Sequence, residues 1–537
     1  MQQEKIDFEF ITSPGSLRRL KLKFSGVAQG VSKIFCAEVE GITPYVVEVE
    51  TDIHIGLSSF NIVGLADKAV SEARERVSSA LKNSKIKPPT RENRKVTVNL
   101  APADLKKNGS QYDLAIALGY LLASQQIKSF DTKRKIFLGE LSLNGELRPV
   151  RGVFNICQMA KEKGFESVFV PWQNAKEAAF VKGINIYPVF SLVQLINHLE
   201  EKELIQPLET QEFFPERFKQ VDFSEIKGQE VAKRALSIAA AGGHNLFMSG
   251  PPGAGKTMLA QSLISILPNL SFEEALEITQ IYSAAGLLTE KPFVSWRPFR
   301  APHHSASLVA LIGGGQTPRP GEVSLAHRGV LFLDEIPEFH RDVLESLRQP
   351  LEDGKVTISR SRGTLTLPSK FMLVAAANPC PCGYAGDSRR ECRCSPYQVI
   401  KYQRKISGPL MDRIDIHIWV NNLEISDFKK EADFEETEKI FQKVNRAREI
   451  QRQRMKKMNL NIFTNSELSS KQIENCVNLD KGAQVLLEKA MERNFLSARG
   501  YFKVLKVART IADMEESEEV KADFLSEALS YREKVNQ

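Results

Sequence analysis

The segment Gly250-Pro-Pro-Gly-Ala-Gly-Lys-Thr257 constrains the fold of this 537-residue chain more than any other feature. It fits the pattern G-x-x-x-x-G-K-[ST], in which backbone N–H groups close around nucleotide phosphates. An apolar run at Asn245–Ser249 precedes it and an amphipathic run at Lys256–Leu267 follows it. The sequence therefore predicts a strand, a phosphate loop and a helix within an α/β core that has a parallel sheet.

The residues of this loop are expected to share the work of holding ATP and Mg²⁺. Lys256 should reach the β- and γ-phosphate oxygens, and Thr257 should ligate Mg²⁺. ATP is expected to contact the whole loop, which consists of Gly250, Pro251, Pro252, Gly253, Ala254, Gly255, Lys256 and Thr257.

Polar side chains follow two further apolar runs. Asp334 and Glu335 come after Gly329–Leu333, and Asn378 follows Lys370–Ala376. Because parallel strands end at one edge of a sheet, these side chains are expected beside the phosphate loop. Asp334 would hold Mg²⁺ through water, Glu335 would polarise the attacking water, and Asn378 would orient it. A helix-capping acid pair and a turn asparagine are the purely structural alternatives.

The length of the chain implies several folded units, at about 150 residues per domain. Short strands and helices alternate from residue 32 to 205 and again from 223 to 422, whereas the remainder reads as helical. The predicted organisation is an extension at 1–31, an α/β domain at 32–205, a linker at 206–222, an ATPase core at 223–422 and a helical lid at 423–537.

Composition places the chain among globular proteins without a membrane segment. No apolar run reaches about 18 residues, and acidic residues at Glu4, Asp7 and Glu9 do not suit a signal peptide. The prediction is a cytoplasmic protein with no membrane partner. A net charge of +7 permits a nucleic-acid partner without demanding one.

Four of the seven cysteines crowd into one short segment. Cys380-Pro-Cys382 and Cys392-Arg-Cys394 form two C-x-C pairs, and four thiolates can close a tetrahedral zinc site. The tight C-x-C spacing leaves free thiols as the alternative. A metal here would be structural, since no open coordination position for water is evident.

The ordered set of motifs resembles an AAA+ ATPase. Its members are Gly250–Thr257, Asp334-Glu335, Asn378, Gly408-Pro-Leu-Met-Asp-Arg413 and Ser497-Ala-Arg499. The segments Phe299–Ser305, Pro320–His327 and Leu347–Glu352 further resemble the magnesium-chelatase-like YifB/ComM family, over nearly all of residues 32–530.

This resemblance implies residue roles and an oligomer. Arg413 would be an arginine finger that reaches the γ-phosphate of a neighbouring subunit's ATP, so a homo-oligomeric ring, a hexamer in this family, is expected. Arg499 resembles the lid arginine that touches phosphate, in cis or in trans. A surface pair of Asp412 with Arg413 is the structural alternative.

Three basic elements are candidates for contact with DNA. Lys355–Leu367 reads as a hairpin and resembles the pre-sensor insertion of related DNA helicases, with Lys355, Arg360 and Arg362 placed to hold phosphates. The segment Trp296–Gly315 could be a companion channel loop, and Lys443–Lys457 is a basic helical run. Solvated surface is the alternative for each.

The N-terminal domain resembles the proteolytic domain of Lon, with a ribosomal-protein-S5-type α/β fold. Gly139–Pro149 and Val168–Pro171 carry the likeness. Gln111 stands where Lon has its catalytic serine and Phe154 where it has its lysine, and neither can act as nucleophile or base. A non-catalytic domain is therefore predicted, with a displaced dyad of Ser110 and a nearby lysine as the alternative.

Three functions remain in competition. A DNA motor, by family resemblance a helicase that migrates branched strands in homologous recombination or natural transformation, is favoured by the basic hairpin. A magnesium-chelatase subunit is the second, and the Lon-like domain and cysteine loop argue against it. An ATP-dependent protease or unfoldase component is the third, weakened by the missing dyad.

Overall fold

A computed structural model of the protein describes residues 31–65, 67–89, 93–217, 221–288, 291–315, 319–360, 363–423, 427, 434–492 and 496–532. The predicted extension at residues 1–31 lies outside these ranges except for Val31, which begins the first strand.

The N-terminal region is built on a mixed sheet. Its strands are β1 Val31–Glu40, β2 Thr43–Ile55, β3 Ser59–Val63, β4 Arg94–Ala101, β5 Lys135–Phe137, β6 Glu140–Leu141, β7 Leu147–Arg148, β8 Ser167–Pro171 and β9 Asn185–Val189. Seven of them form one sheet in the order β3-β4-β2-β1-β5-β8-β9, and β6 pairs with β7. In β4 alternate residues Val96, Val98 and Leu100 are buried, the period of two expected of a strand with one covered face.

Helices cover this sheet. They are α1 Lys68–Asn83, α2 Asp113–Ala123, α3 Val153–Glu162, α4 Trp172–Ala178 and α5 Leu192–Leu199. The side chain of Asp67 caps α1 by accepting a hydrogen bond from the Val70 amide at 2.8 Å. Helix α2 is apolar on all sides and lies within the core, against β1 and β2.

A second sheet, entirely parallel, forms the centre of the chain. The strands of this region are β10 Leu246–Ser249, β11 Phe299–Arg300, β12 Gly313–Gly314, β13 Arg319–Pro320, β14 Val330–Leu333, β15 Lys355–Arg360, β16 Gly363–Pro368, β17 Met372–Ala377 and β18 Ile416–Trp419. The five-stranded sheet has the order β11-β14-β17-β10-β18. We call the edge at which its strands end the carboxyl edge, and the opposite one the amino edge.

The helices of this region are α6 Glu230–Gly242, α7 Lys256–Ile266, α8 Phe272–Ala285, α9 Leu308–Ile312, α10 Glu322–Leu325, α11 Arg341–Ser346, α12 Arg348–Asp353, α13 Pro396–Gln403 and α14 Gly408–Met411. Strands β15 and β16 pair in antiparallel register from Lys355 with Pro368 to Arg360 with Gly363, so the predicted hairpin is present.

The C-terminal region is helical. It contains α15 Phe434–Lys457, α16 Ser470–Cys476, α17 Lys481–Glu492, α18 Ala498–Met514 and α19 Ala522–Ser530. Val444 of α15 and Ile511 of α18 share one buried core with Leu236 of α6 and Leu263 of α7, so these helices pack directly on the parallel sheet's own helices. Among the described residues no helix is long and apolar enough to cross a membrane.

The segment predicted as a linker lies against both neighbouring regions in its described part. The Leu208 amide donates to the Ile186 carbonyl of β9 at 2.8 Å, and the Glu216 amide donates to the Ser295 carbonyl at 2.9 Å. The Phe213 ring meets Phe293 edge-on, with centroids 5.7 Å apart. The segment therefore joins the two regions through specific contacts.

Candidate active site

The phosphate loop, Asp334 and Asn378 meet at the carboxyl edge of the parallel sheet. Strand register pairs Ser249 with Ala377 and Leu333 with Ala375, so the residues that follow β10, β14 and β17 emerge side by side. This is the placement that the sequence pattern predicted for the three motifs.

Two glycines of the loop adopt left-handed backbone conformations. Gly253 has φ of 80° and Gly255 has φ of 86°, and Gly255 is the N-cap of α7. Apart from its chain neighbours, no heavy atom of the described residues lies within 4 Å of a β-carbon built at either position. The backbone conformation, rather than contact within the protein, therefore requires glycine here.

The Lys256 ammonium group lies inside the loop and is almost fully hydrogen-bonded. It donates to the Gly250 carbonyl at 2.8 Å, to the Pro251 carbonyl at 2.9 Å and to Asn378 Oδ1 at 3.1 Å. Burial lowers the pKa of Lys256, and the nearby carboxylates Asp334 and Glu335 act in the opposite direction. The lysine is thus placed between the loop and the two acidic residues.

Thr257 and Asp334 place two oxygen atoms side by side. Thr257 Oγ1 donates to Asp334 Oδ2 at 2.6 Å, across the space between α7 and the end of β14. A hydroxyl and a carboxylate oxygen are the ligands that Mg²⁺ accepts when it also binds nucleotide phosphates. These two residues fit the predicted magnesium site.

Glu335 has a strained backbone. Its φ of 49° and ψ of 46° lie in the left-handed region, which costs a non-glycine residue about 1–3 kcal/mol. Its amide donates to Asp334 Oδ1 at 2.9 Å, and its side chain is exposed at the carboxyl edge. Such strain occurs preferentially at functional sites, and here it presents a carboxylate beside Thr257 and Asp334.

Arg413 lies at the amino edge, remote from its own phosphate loop. Its carbonyl accepts from Asn245 Nδ2 at 3.0 Å, one residue before β10, whereas Gly250 follows the other end of that strand. At about 3.3 Å per residue, the strand spans roughly 16 Å from Asn245, beside Arg413, to Gly250 at the start of the phosphate loop. The Arg413 guanidinium pairs with Glu352 and donates to the Arg348 carbonyl at 3.1 Å.

Arg499 lies on the same side of the molecule as Arg413. Both line one cavity of about 620 Å³ together with Asn245, Gly329 and Met372, which mark the amino ends of three strands. The phosphate loop, which is fully described, contributes no residue to this cavity. The two arginines are therefore grouped together and separated from Lys256.

The four clustered cysteines converge in space. Their Sγ atoms all lie within 4.8 Å of one another, with Cys380 3.3 Å from Cys382 and 3.7 Å from Cys392. The Ala385 amide donates to Cys380 Sγ at 3.3 Å, and the Cys394 amide donates to Cys392 Sγ at 3.4 Å. Backbone N–H groups directed at sulfur stabilise thiolates, which are the form that binds metal.

The cysteine-bearing loop rests on the phosphate loop. Gly383 has φ of 86°, and a β-carbon there would lie 2.7 Å from Pro252 Cδ. Cys380 follows Asn378 by two residues, and the Pro379 carbonyl between them accepts from Gln403 Nε2 at 3.1 Å. This contact between loops is carried by glycine and proline, and the sequence pattern alone did not reveal it.

The three elements predicted to contact DNA differ in whether their basic side chains are exposed or bound to other groups of the protein. Lys355 is exposed at the base of the hairpin. Arg362 lies outside the described residues, and for Arg360 only the backbone is described. In the other two elements several cations are held internally: Arg297 pairs with Glu274 at 3.0 Å, and Arg448 donates to the Ala240 carbonyl at 2.8 Å.

Gln111 and Phe154, which the Lon resemblance places at the positions of the dyad, make structural contacts within the region. Gln111 Nε2 donates to Glu38 at 2.7 Å, and Phe154 is 1% exposed. Ser110 donates to Glu140, while Lys107 donates to the Pro102 carbonyl. Ser110 and Lys107 are thus bound to other groups in the described contacts, and the non-catalytic role of this region stays a prediction.

The parallel sheet carries the phosphate loop after β10 and the Asp-Glu pair after β14, and helices pack against it. This combination defines a P-loop ATPase core of the AAA+ class. Three family descriptions match the chain: "Magnesium chelatase, subunit ChlI" over residues 222–428, "Subunit ChlI of Mg-chelatase" over 49–174, and "Magnesium chelatase, subunit ChlI C-terminal" over 434–532. The protein belongs to the ComM/YifB family of magnesium-chelatase-like AAA+ proteins, and this family implies ATPase activity.

Several relatives show how far the similarity extends. The competence protein ComM of Haemophilus influenzae is 43% identical over 92% of this chain and 96% of its own length. The uncharacterised YifB of Escherichia coli is 41% identical over 92% of this chain and 95% of its own. Lon protease 2 of Bacillus subtilis is 28% identical over 29% of this chain and 30% of its own, which accords with the Lon-like region.

Proposed function

We propose that this protein is an ATP-hydrolysing ring motor that acts on DNA, as a branch-migration helicase in homologous recombination or natural transformation. The observation that carries the proposal is the hairpin of β15 and β16 within an ATPase core, with Lys355 exposed at its base and with Arg360 and Arg362 in the sequence near its turn. The name of the ComM relative supports a link to competence.

ATP turnover is assigned to the carboxyl edge. Lys256 holds the β- and γ-phosphates after exchanging its contacts with the loop carbonyls, and Thr257 and Asp334 hold Mg²⁺. Glu335 polarises the attacking water, which Asn378 orients. Magnesium supplies charge stabilisation of the phosphate oxygens in this scheme.

The site is completed by a second copy of the chain. Arg413 and Arg499 share the amino-edge cavity, so in a head-to-tail ring both would face the carboxyl edge of the next subunit. We therefore assign both arginines to action in trans, which for Arg499 is one of the two alternatives that the sequence left open. A hexamer is the ring size that the family resemblance favours.

The cysteine cluster is proposed as a structural zinc site. A tetrahedral ZnS₄ centre with Zn–S bonds near 2.3 Å needs sulfur atoms about 3.8 Å apart. The separations of 3.3, 3.6 and 3.7 Å among Cys380, Cys382 and Cys392 require only small adjustments to meet this. All four positions are filled by sulfur, so the site is suited to a structural role.

The decisive experiment measures ATPase activity with and without forked or single-stranded DNA. We expect DNA to stimulate the unmodified protein and Arg362→Ala to abolish the stimulation while basal turnover is kept. Lys489→Ala removes an exposed cation from α17 and serves as the matched control. An ATPase indifferent to DNA would contradict the proposal and favour the magnesium-chelatase-type alternative.

A further inference from the structure

The Lon-like region is joined to the ATPase core at the position where Lon has its catalytic lysine. Phe154 of α3 meets Phe293 edge-on, with ring centroids 5.8 Å apart, and both belong to one buried core. The Gly152 amide donates to the Ser283 carbonyl of α8 at 3.0 Å. Ser283 Oγ in turn donates to the buried Glu177 at 2.9 Å. The position that the resemblance matches to the Lon lysine is therefore part of an interface with the ATPase core.

The residue after Phe154 connects this interface to the turn between β1 and β2. Asn155 Nδ2 donates to the Ile42 carbonyl in that turn at 2.8 Å and to the Gln280 carbonyl of α8 at 3.2 Å. Asn155 is 2% exposed. A buried amide that bridges two backbone carbonyls holds the turn at a defined position relative to α8, because an unsatisfied carbonyl would be costly.

The same turn touches the hairpin. Gly41 has φ of 65°, and a β-carbon there would overlap the side chain of Leu365 in β16. Ile42 and Leu365 both pack on the apolar core beneath the hairpin, which includes Val356 and Leu367. A continuous series of contacts therefore runs from α8 through Asn155 and the Gly41-Ile42 turn to Leu365.

We propose that the Lon-like region is a brace that positions the β15–β16 hairpin, with Asn155, Gly41 and Leu365 as its positioning residues. The brace supports the apolar face of the hairpin through Leu365, so that movement of α8 is transmitted to it. The role of the brace in DNA-stimulated ATP turnover rests on the proposed function. Its effect on the position of the hairpin is independent of that function.

The test is hydrogen exchange in the full-length protein, followed over the amides of residues 355–368. Asn155→Ala and, separately, Leu365→Ala are each expected to accelerate exchange in this segment about tenfold or more, because the hairpin loses support on one side. Ser142→Ala, which removes a buried hydroxyl elsewhere in the same region, is the control and should leave the hairpin unchanged. Leu365 is only partly buried, so this variant remains informative if Asn155→Ala fails to fold.

A second readout separates positioning from general stability. Asn155→Ala should reduce DNA-stimulated ATPase activity and leave basal ATPase activity unchanged. Unaltered hairpin exchange in the folded variants would overturn the brace. If the unmodified protein showed no stimulation by DNA, the proposed function would fail, and the exchange measurement would still decide whether the brace exists.

Discussion

Asn245 donates a hydrogen bond from its side-chain amide to the carbonyl of Arg413, at a distance of 3.0 Å. Asn245 also accepts one from the Leu373 amide of β17 at 2.8 Å, so it ties Arg413 to the start of two central strands. The phosphate loop begins where β10 ends. A single asparagine thus helps to hold Arg413, the proposed arginine finger, at the amino edge and away from the phosphate loop of the same chain.

Mixed rings provide a direct test of this arrangement. Arg413→Ala and Glu335→Gln should each lose ATPase turnover by about 10³-fold or more while they retain nucleotide binding. Mixed in equal amounts, the two variants should recover activity, because roughly a quarter of the interfaces in a head-to-tail ring then combine an intact Glu335 with an intact Arg413.

The readout of that mixture is steady-state ATPase activity after the subunits have exchanged. Arg404→Ala, which removes an exposed arginine just after α13, should behave like the unmodified protein. Absence of recovery in rings shown to be mixed would place Arg413 in cis and refute the assignment.

The proposed magnesium site leads to a separate prediction. Asp334→Asn should keep ATP affinity within a few-fold but reduce turnover by about 100-fold or more, since metal coordination supplies several kcal/mol to the transition state. The activity should be measured as a function of Mg²⁺ concentration. Asp342→Asn, at an exposed position of α11, is the control, and equal behaviour of the two variants would contradict the assignment.

The zinc proposal is tested by metal content. We expect about one zinc per chain by elemental analysis, lost in Cys380→Ser and retained in Cys476→Ser, whose thiol lies apart from the cluster. Because Gly383 packs on Pro252, removal of zinc by a chelator should also weaken ATP binding. Metal-free protein with full ATP affinity would show that the two loops are not coupled.

A buried carboxyl in the Lon-like region predicts a pH dependence. Burial raises the pKa of Glu38 to about 7, so the folded state binds a proton more tightly than the unfolded state. This tighter proton binding stabilises the folded state fully below the usual carboxyl pKa near 4.5, and the stabilisation is lost as pH rises through 7. Glu38→Gln should therefore be more stable than the unmodified protein at pH 8, by about 1–3 kcal/mol, and much closer to it at pH 4.5.

The relevant measurement is denaturant unfolding of both proteins at the two pH values. One oxygen of Glu38 accepts from Asn108, Gln111 and Tyr112, and the glutamine carbonyl can replace it. Glu146→Gln changes an exposed carboxyl and is the control. If the free energies of unfolding of Glu38→Gln and the unmodified protein differed by the same amount at both pH values, the prediction would be contradicted.

Reconstruction of the Lon dyad should fail. Gln111→Ser combined with Phe154→Lys is expected to show no peptidase activity and to lose several kcal/mol of stability, because the lysine would be buried against Phe293 without a partner. Casein cleavage and thermal unfolding are the measurements, with Gln111→Ser alone as the control. Peptidase activity in the double variant would revive the protease alternative.

The group of residues at the carboxyl edge could be predicted from the sequence because local patterns define it. Gly250–Thr257 has a fixed spacing, and the acidic pair and Asn378 each directly follow an apolar strand. Parallel strands necessarily end at a common edge, so the three motifs had to meet. The hairpin of β15 and β16 was predictable for the same reason, since its two β-prone runs are adjacent in the chain.

The phosphate-loop pattern, the AAA+ resemblance and the prediction of a non-catalytic Lon-like domain could all be read from the residues, since each depends on residue types at short spacings. The folded chain was needed to show that Arg499 lies with Arg413 at the amino edge, that Gly383 rests on Pro252, and that Asn155 links α8 to the turn beneath the hairpin. These relationships join residues distant in the chain, and no local pattern encodes them. They arise because packing brings the separate strands and helices to definite positions.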